Sequence, residues 1–157
     1  MDAHSLKVLE YDEIVTMLRE RTACSLGENL ASELTPSTNH LIIADSQHIT
    51  TEAKRIIEEE ESLPLGGIHD ISRQVEKAGM EGVLEPSELL DVAETLASGR
   101  RLRAFILKRA EKCPRLEEIA LGISQFPKIE EQIADCIADS GEIRDTASPE
   151  LARIRSK

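Results

Sequence analysis

Aromatic side chains are almost missing from these 157 residues: Tyr11, Phe105 and Phe126 make up 2%, and there is no Trp. The strands of a sandwich or barrel would draw on aromatic and β-branched residues. With a hydrophobic fraction of 40% carried by Leu, Ile, Ala and Val, the composition predicts an all-α chain. Long apolar runs are missing too. No stretch approaches the roughly 20 residues of a membrane-spanning helix, and the N-terminus lacks the apolar block of a secretory signal, so we expect a cytoplasmic protein with no membrane partner. The three cysteines, Cys24, Cys113 and Cys136, are odd in number and widely spaced with no CxxC. That pattern indicates neither a disulfide framework nor a zinc site and predicts ordinary buried or half-buried thiols. Positive charge is also scarce, with 19 Lys and Arg against 30 Asp and Glu and a net charge of -11. Broad phosphate contact is therefore excluded, and any nucleic-acid contact must be local.

What is present is helical periodicity. From Glu85 to Glu111, Leu89, Val92, Ala93, Leu96, Leu102 and Ile106 recur at helical spacing, with Pro86 suited to the first position and Pro114 beyond the end. At ~1.5 Å per residue this helix would reach roughly 40 Å, a length suited to scaffolding or mechanical work. Gly99 interrupts it, and we expect either a helix crossing or a kink there. A second long helix is predicted from Thr38 to Glu61, with Leu41, Ile42, Ile49, Ala53, Ile56 and Ile57 as its apolar stripe and Glu58 to Glu61 as a fraying acidic end.

The shorter pieces are expected to pack around these two helices as an irregular bundle. Ser5 to Tyr11 alternates and reads as extended; Ile14, Val15 and Leu18 mark a compact helix; Leu26, Leu30 and Leu34 mark another, capped by Ser25. Residues 63 to 68 read as a loop whose glycines supply φ > 0 or a close backbone approach. Asp70 caps a helix from Ile71 to Ala78, and two more helices follow, one from Arg115 to Ile123 and one through Ile129, Ile133 and Ile137. Residues 139 to 142 form a turn around Gly141, residues 143 to 145 an extended link, and Ser148 with Pro149 opens a last helix. We take residues 1 to 147 as one helical domain and residues 148 to 157 as the start of a helix that continues elsewhere, so that the sequence is expected to be a fragment.

Catalytic patterns are lacking. His4, His40, His48 and His69 fall in no HxxxH spacing, no GxSxG elbow occurs, and the glycines at 66 and 67 are not followed by Lys-Ser/Thr, so no catalytic, cofactor or metal residue is assigned. One basic patch stands out: Arg100, Arg101 and Arg103, continued by Lys108 and Arg109. It is either a phosphate or partner contact or a set of solvated side chains paired with acids such as Glu94 and Glu111.

Two stretches carry a family likeness: Pro64 to Ile71 (PLGGIHDI) and Ser140 to Arg155 (SGEIRDTASPELARIR), supported by Leu9-Glu10-Tyr11-Asp12, Ser25-Leu26-Gly27, Leu34-Thr35-Pro36-Ser37 and Gly82 to Leu90 (GVLEPSELL). Together they resemble the N-terminal region of the bacterial MutS-II family. His69, where Arg is more usual, and Glu85, where Ser is more usual, depart from its pattern. The resemblance implies the first part of a core and lever region, ahead of a coiled-coil clamp. It further implies a parent with a dimerising ATPase domain that uses ATP and Mg and usually an Smr nuclease domain, acting on branched DNA in suppressing homologous recombination or on collided ribosomes. No residue of those catalytic sites lies in this chain. Gly99 and Gly141 are then expected as hinge or crossing points. The rival from another class is a free-standing acidic helical module that binds a basic partner.

Overall fold

In a computed structural model of the chain, the structure describes residues 3–59 and 63–156. Among them the architecture is all-α, with nine α-helices. They fall into two compact units interleaved in sequence: residues up to Gly66 with Leu102–Ile123, and Gly67–Arg101 with the residues from Ser124 onward.

The first unit opens with α1 (Ala3–Val8), α2 (Tyr11–Arg19) and α3 (Ser25–Ser32). The extended segment expected at Ser5–Tyr11 is α1 instead. Seven residues satisfy a period of 2 and of 3.6 about equally, and the helix is ended by Glu10, which turns left-handed at φ 52° and starts α2. Ser25 is a first-turn residue rather than the cap; extended Cys24 holds the cap position without a side-chain bond. The hairpin of α2 and α3 is closed at one end by the Tyr11 hydroxyl donating to Leu34 O at 3.2 Å, and at the other by the Arg19–Glu28 ion pair.

The long helix α4 (His40–Glu59) starts at Asn39, whose side-chain oxygen accepts the N–H of Leu41 at 3.0 Å. Its expected apolar stripe is only half used. Ile56 is buried with Glu52, while Leu41, Ile42 and Ile57 are exposed. Of the acidic run at its end, Glu60 and Glu61 lie outside the described residues. The core of this unit joins Ile56, Ile106, Cys113 and Ala120, with Leu63, Leu102, Phe105 and Leu116 against them. Burying side chains of this size contributes about 1.5–3 kcal/mol each.

The organising helix, α6, is shorter than its periodicity predicts: it runs Pro86–Leu107, about 33 Å at ~1.5 Å per residue. The chain then tightens, Arg109 N–H donating to Ile106 O, into a 3-10 turn at Ala110–Lys112 before α7 (Pro114–Leu121). Local packing decides the stop: Arg109 folds back over the Phe105 ring, 3.7 Å from its centroid, and buried Cys113 lies 3.1 Å from Arg109 O. Pro114, expected to follow the end of one helix, is the first residue of the next.

The second unit holds α5 (Ser72–Gly79), α6 up to Arg101, α8 (Pro127–Cys136) and α9 (Pro149–Arg155). α5 starts one residue later than expected, with Ile71 rather than Asp70 at the cap position; Asp70 accepts the N–H and hydroxyl of Ser72 from one residue further out, and these bonds hold its carboxyl below the usual range. At the start of α6, Glu88 reaches back to the N–H of Glu85 at 2.8 Å and takes Lys77 Nζ at 2.7 Å, an arrangement that likewise lowers its pKa, with the Lys77 bond as the main cause. Beyond α8 an antiparallel bridge pairs Ile137 with Ile143 around the expected turn, where Gly141 takes φ +84°. Residues 143 and 144 are extended as expected, whereas Asp145 already begins a 3-10 turn to Ala147. Ser148 then caps α9, accepting the N–H of Leu151 at 3.1 Å.

Candidate functional site

The basic patch lies where α6 passes from one unit to the other: Arg100 and Arg101 belong to the second unit, Arg103 to the first. In a chain of net charge -11 each of the three finds an acceptor within its own unit: a carboxylate for Arg100, a hydroxyl for Arg101 and backbone carbonyls for Arg103.

Arg100 forks onto Glu130 of α8, with Nη2 at 2.8 Å and Nε at 3.2 Å from both carboxylate oxygens. The Glu130 carboxylate, only 13% exposed, holds the guanidinium further into its charged form. Arg101 Nη2 donates to the Ser98 hydroxyl one turn back, at 2.8 Å, and Ser98 itself is fully buried. Arg103 points at the end of α7. Its Nη1 lies 2.8 Å from Leu121 O, 2.7 Å from Ile123 O and 3.3 Å from Ala120 O, so its hydrogens are shared among carbonyls at and just beyond the end of α7, of which Ala120 O also accepts the N–H of Ile123. The acids weighed from sequence as partners, Glu94 and Glu111, are used by none of these bonds.

The opposite end of α7 is also held from afar. Glu52 of α4, 9% exposed, accepts the N–H of Arg115 at 3.0 Å and of Leu116 at 3.0 Å. Arg115 in turn pairs with Asp45 of α4 at 2.9 Å and with Glu118 at 3.0 Å, which raise its pKa, Glu118 most. An eight-residue helix is thus capped by a carboxylate at its positive pole and a guanidinium at its negative pole, each from a different element. Nothing local announces Glu52 or Glu130; among 30 acids only tertiary packing selects them.

We expect Arg103→Ala to lower stability by about 2 kcal/mol, because charge-assisted bonds are worth ~1.5–3 kcal/mol and the carbonyls stay in place without their donor. Arg101→Ala, which removes a bond within one helix turn, should cost well under half of that. Urea unfolding midpoints of the two variants make the comparison; equal losses would contradict the capping role of Arg103.

The glycines differ in setting. Gly99 is half-buried within unbroken α6, whereas Gly141 sits in an open turn where an added Cβ would meet nothing within 4 Å. A third was not singled out. Gly67, at φ +78°, lays its backbone on α6, and a Cβ there would lie 2.7 Å from Glu94 and 2.8 Å from the Ser98 hydroxyl. The same loop is fixed by His69, whose N–H donates to Thr95 Oγ1 and whose Nε2 is 3.0 Å from Glu94.

Chemistry at these residues is structural. Cys113 is fully buried, and burial, reinforced by nearby Glu52, pushes its thiol up and away from the reactive thiolate. Among the described residues no group of three His, Cys, Asp or Glu side chains is arranged to hold a metal ion, and no helix is long and apolar enough to cross a membrane.

No protein-family model matches the chain. Individual proteins do match. The chain is 43% identical over 155 residues to the Endonuclease MutS2 of Symbiobacterium thermophilum, covering 99% of the chain and 19% of that protein. For the proteins of the same name from Alkaliphilus oremlandii and Brevibacillus brevis the identities are 39% and 37%, with 99% and 100% of the chain and 20% of each relative covered. The chain spans about a fifth of the length of these relatives. Identity at that level, sustained from end to end of the chain, shows it to be similar to one segment of those longer proteins and supports its reading as a MutS-II N-terminal region.

Proposed function

We propose that this chain is the lever and connector segment of a MutS-II protein, itself non-catalytic, which relays nucleotide-driven rearrangement from an ATPase domain to a clamp. The single observation that carries this is the sharing of α6: one uninterrupted helix gives residues 86–101 to one compact unit and 102–107 to the other. Side-chain ties lie on either side of that division, Arg100 to Glu130 and Arg103 to the end of α7. Coupling by discrete rearrangement of rigid elements uses elements that are held together in this way.

In the same reading the parent is a cytoplasmic homodimer that uses ATP and Mg, and it is an endonuclease, as its relatives are named. Its clients are branched DNA, in suppressing recombination, or collided ribosomes. Arg100, Arg101 and Arg103 serve it as internal ties rather than as phosphate contacts, and Gly99 and Gly141 are the positions at which the lever crosses or bends.

The test uses the full-length protein. Gly99→Ala and Gly141→Ala leave every catalytic group untouched, so basal ATP hydrolysis should stay within twofold. ATP-dependent release of a branched DNA should slow about 3- to 10-fold, the range of coupling energies near ~1 kcal/mol. Unchanged release in both variants would overturn the hinge assignment and, with it, the lever reading.

A further inference from the structure

The segment from Ser140 to Arg155 turns two arginines back onto backbone, one onto α8 and its end and one onto the segment itself. Arg144 turns back on α8, Nε donating to Ala134 O at 2.9 Å and to Ile137 O at 3.4 Å. Backbone bonds from Arg144 N to Cys136 O and from Ala138 N to Glu142 O close the bridge between Ile137 and Ile143. From the last turn of α9, Arg155 returns to the same strand-like link, donating at 3.0 Å to Ile143 O and pairing with Asp145. One arginine thus fastens the link to α8, and the other fastens α9 to the link.

Apolar packing contributes little at that second attachment. No residue of α9 is buried, and Ile154 is 65% exposed. The polar fastenings of α9 are the Ser148 cap at its start and the bonds of Arg155 to Ile143 and Asp145.

We propose that Arg155, working against the platform that Arg144 holds rigid, is a polar latch that fixes the direction of α9, and that residues 137–148 are a joint that opens separately from α8. That such a joint redirects α9 when the lever moves rests on the lever reading above; its existence is tested without the parent's activity.

The experiment is amide hydrogen exchange on the whole chain, read residue by residue by NMR. Arg155→Ala should speed exchange at the α9 amides of residues 153 to 156 by about tenfold, as loss of a charge-assisted bond implies, while α8 amides stay within twofold. Arg155→Lys, which keeps the charge but not the fork, should fall between, and Arg153→Ala, on the same helix but exposed, should leave exchange unchanged. Equal acceleration in α8 and α9 would mean a single cooperative unit and overturn the joint. Unaltered α9 exchange in Arg155→Ala, or an equal effect of Arg153→Ala, would overturn the latch. A failed latch together with slowed DNA release in the hinge variants leaves the lever reading standing, whereas an intact latch with unchanged release overturns that reading alone, so the two outcomes are distinguishable.

Discussion

Glu52→Ala is expected to destabilise the chain by about 2–4 kcal/mol, although it removes a polar residue from a half-buried helix in a strongly acidic protein. The side chain is 9% exposed and accepts two backbone N–H groups at the start of α7. Truncation leaves the N–H groups of Arg115 and Leu116 without an acceptor, and unpaired buried donors cost ~1–3 kcal/mol each. It also removes the negative charge at the positive pole of the helix, worth up to ~1 kcal/mol or somewhat more in a partly buried setting. Glu52→Gln keeps one acceptor oxygen and loses the charge, so it should cost about half as much. Urea denaturation of both variants beside wild type measures the difference. A loss below about 0.5 kcal/mol for Glu52→Ala would mean that water replaces the carboxylate and that α7 is held by apolar contact alone.

The second large effect is expected at Gly67. Its φ of +78° already disfavours any side chain, by ~1–2 kcal/mol for an L-residue in the left-handed region. An added methyl would also sit within 2.8 Å of the buried Ser98 hydroxyl and at 2.7 Å from Glu94. The Glu94 side chain is exposed enough to swing away, but it would then leave His69; Ser98 is fully buried and cannot yield. We expect Gly67→Ala to cost about 3 kcal/mol, combining backbone strain with the ~1–3 kcal/mol of local overpacking. Gly66→Ala, next in sequence and with open space around its Cβ, is the control and should lie within ~1 kcal/mol of wild type. Thermal unfolding followed by circular dichroism reports both. Similar losses at the two positions would show that loop entropy, not close approach, is what glycine provides here.

These two residues also mark how far sequence reasoning reached. The loop at residues 63 to 68 was legible because paired glycines between apolar residues have few other uses. Which of the pair carries the close approach was not, since that depends on α6 lying beneath it. Glu52 was invisible for a different reason: its partners are 63 and 64 residues away in sequence, and no local pattern separates it from the other acids. The basic patch was found by composition, yet its partners were not, because Glu130 and the carbonyls of residues 120, 121 and 123 come to Arg100 and Arg103 only through tertiary packing. The seven-residue start from Ser5 was misread because so short a stretch does not separate the two periods.

The sequence by itself determined that the chain is all-α, where most helices run, how α9 begins, and, through two motif stretches, its likeness to the MutS-II N-terminal region. Helical period, caps and prolines are local properties, written within one or two turns of the residues that show them. Only the tertiary structure decided where α6 stops, which apolar faces are buried, which acids meet which arginines, and that the chain packs as two interleaved units. Those outcomes depend on contacts between residues distant in sequence, and the free energy that selects among 30 acids or several exposed aliphatic faces exists only once the helices have packed.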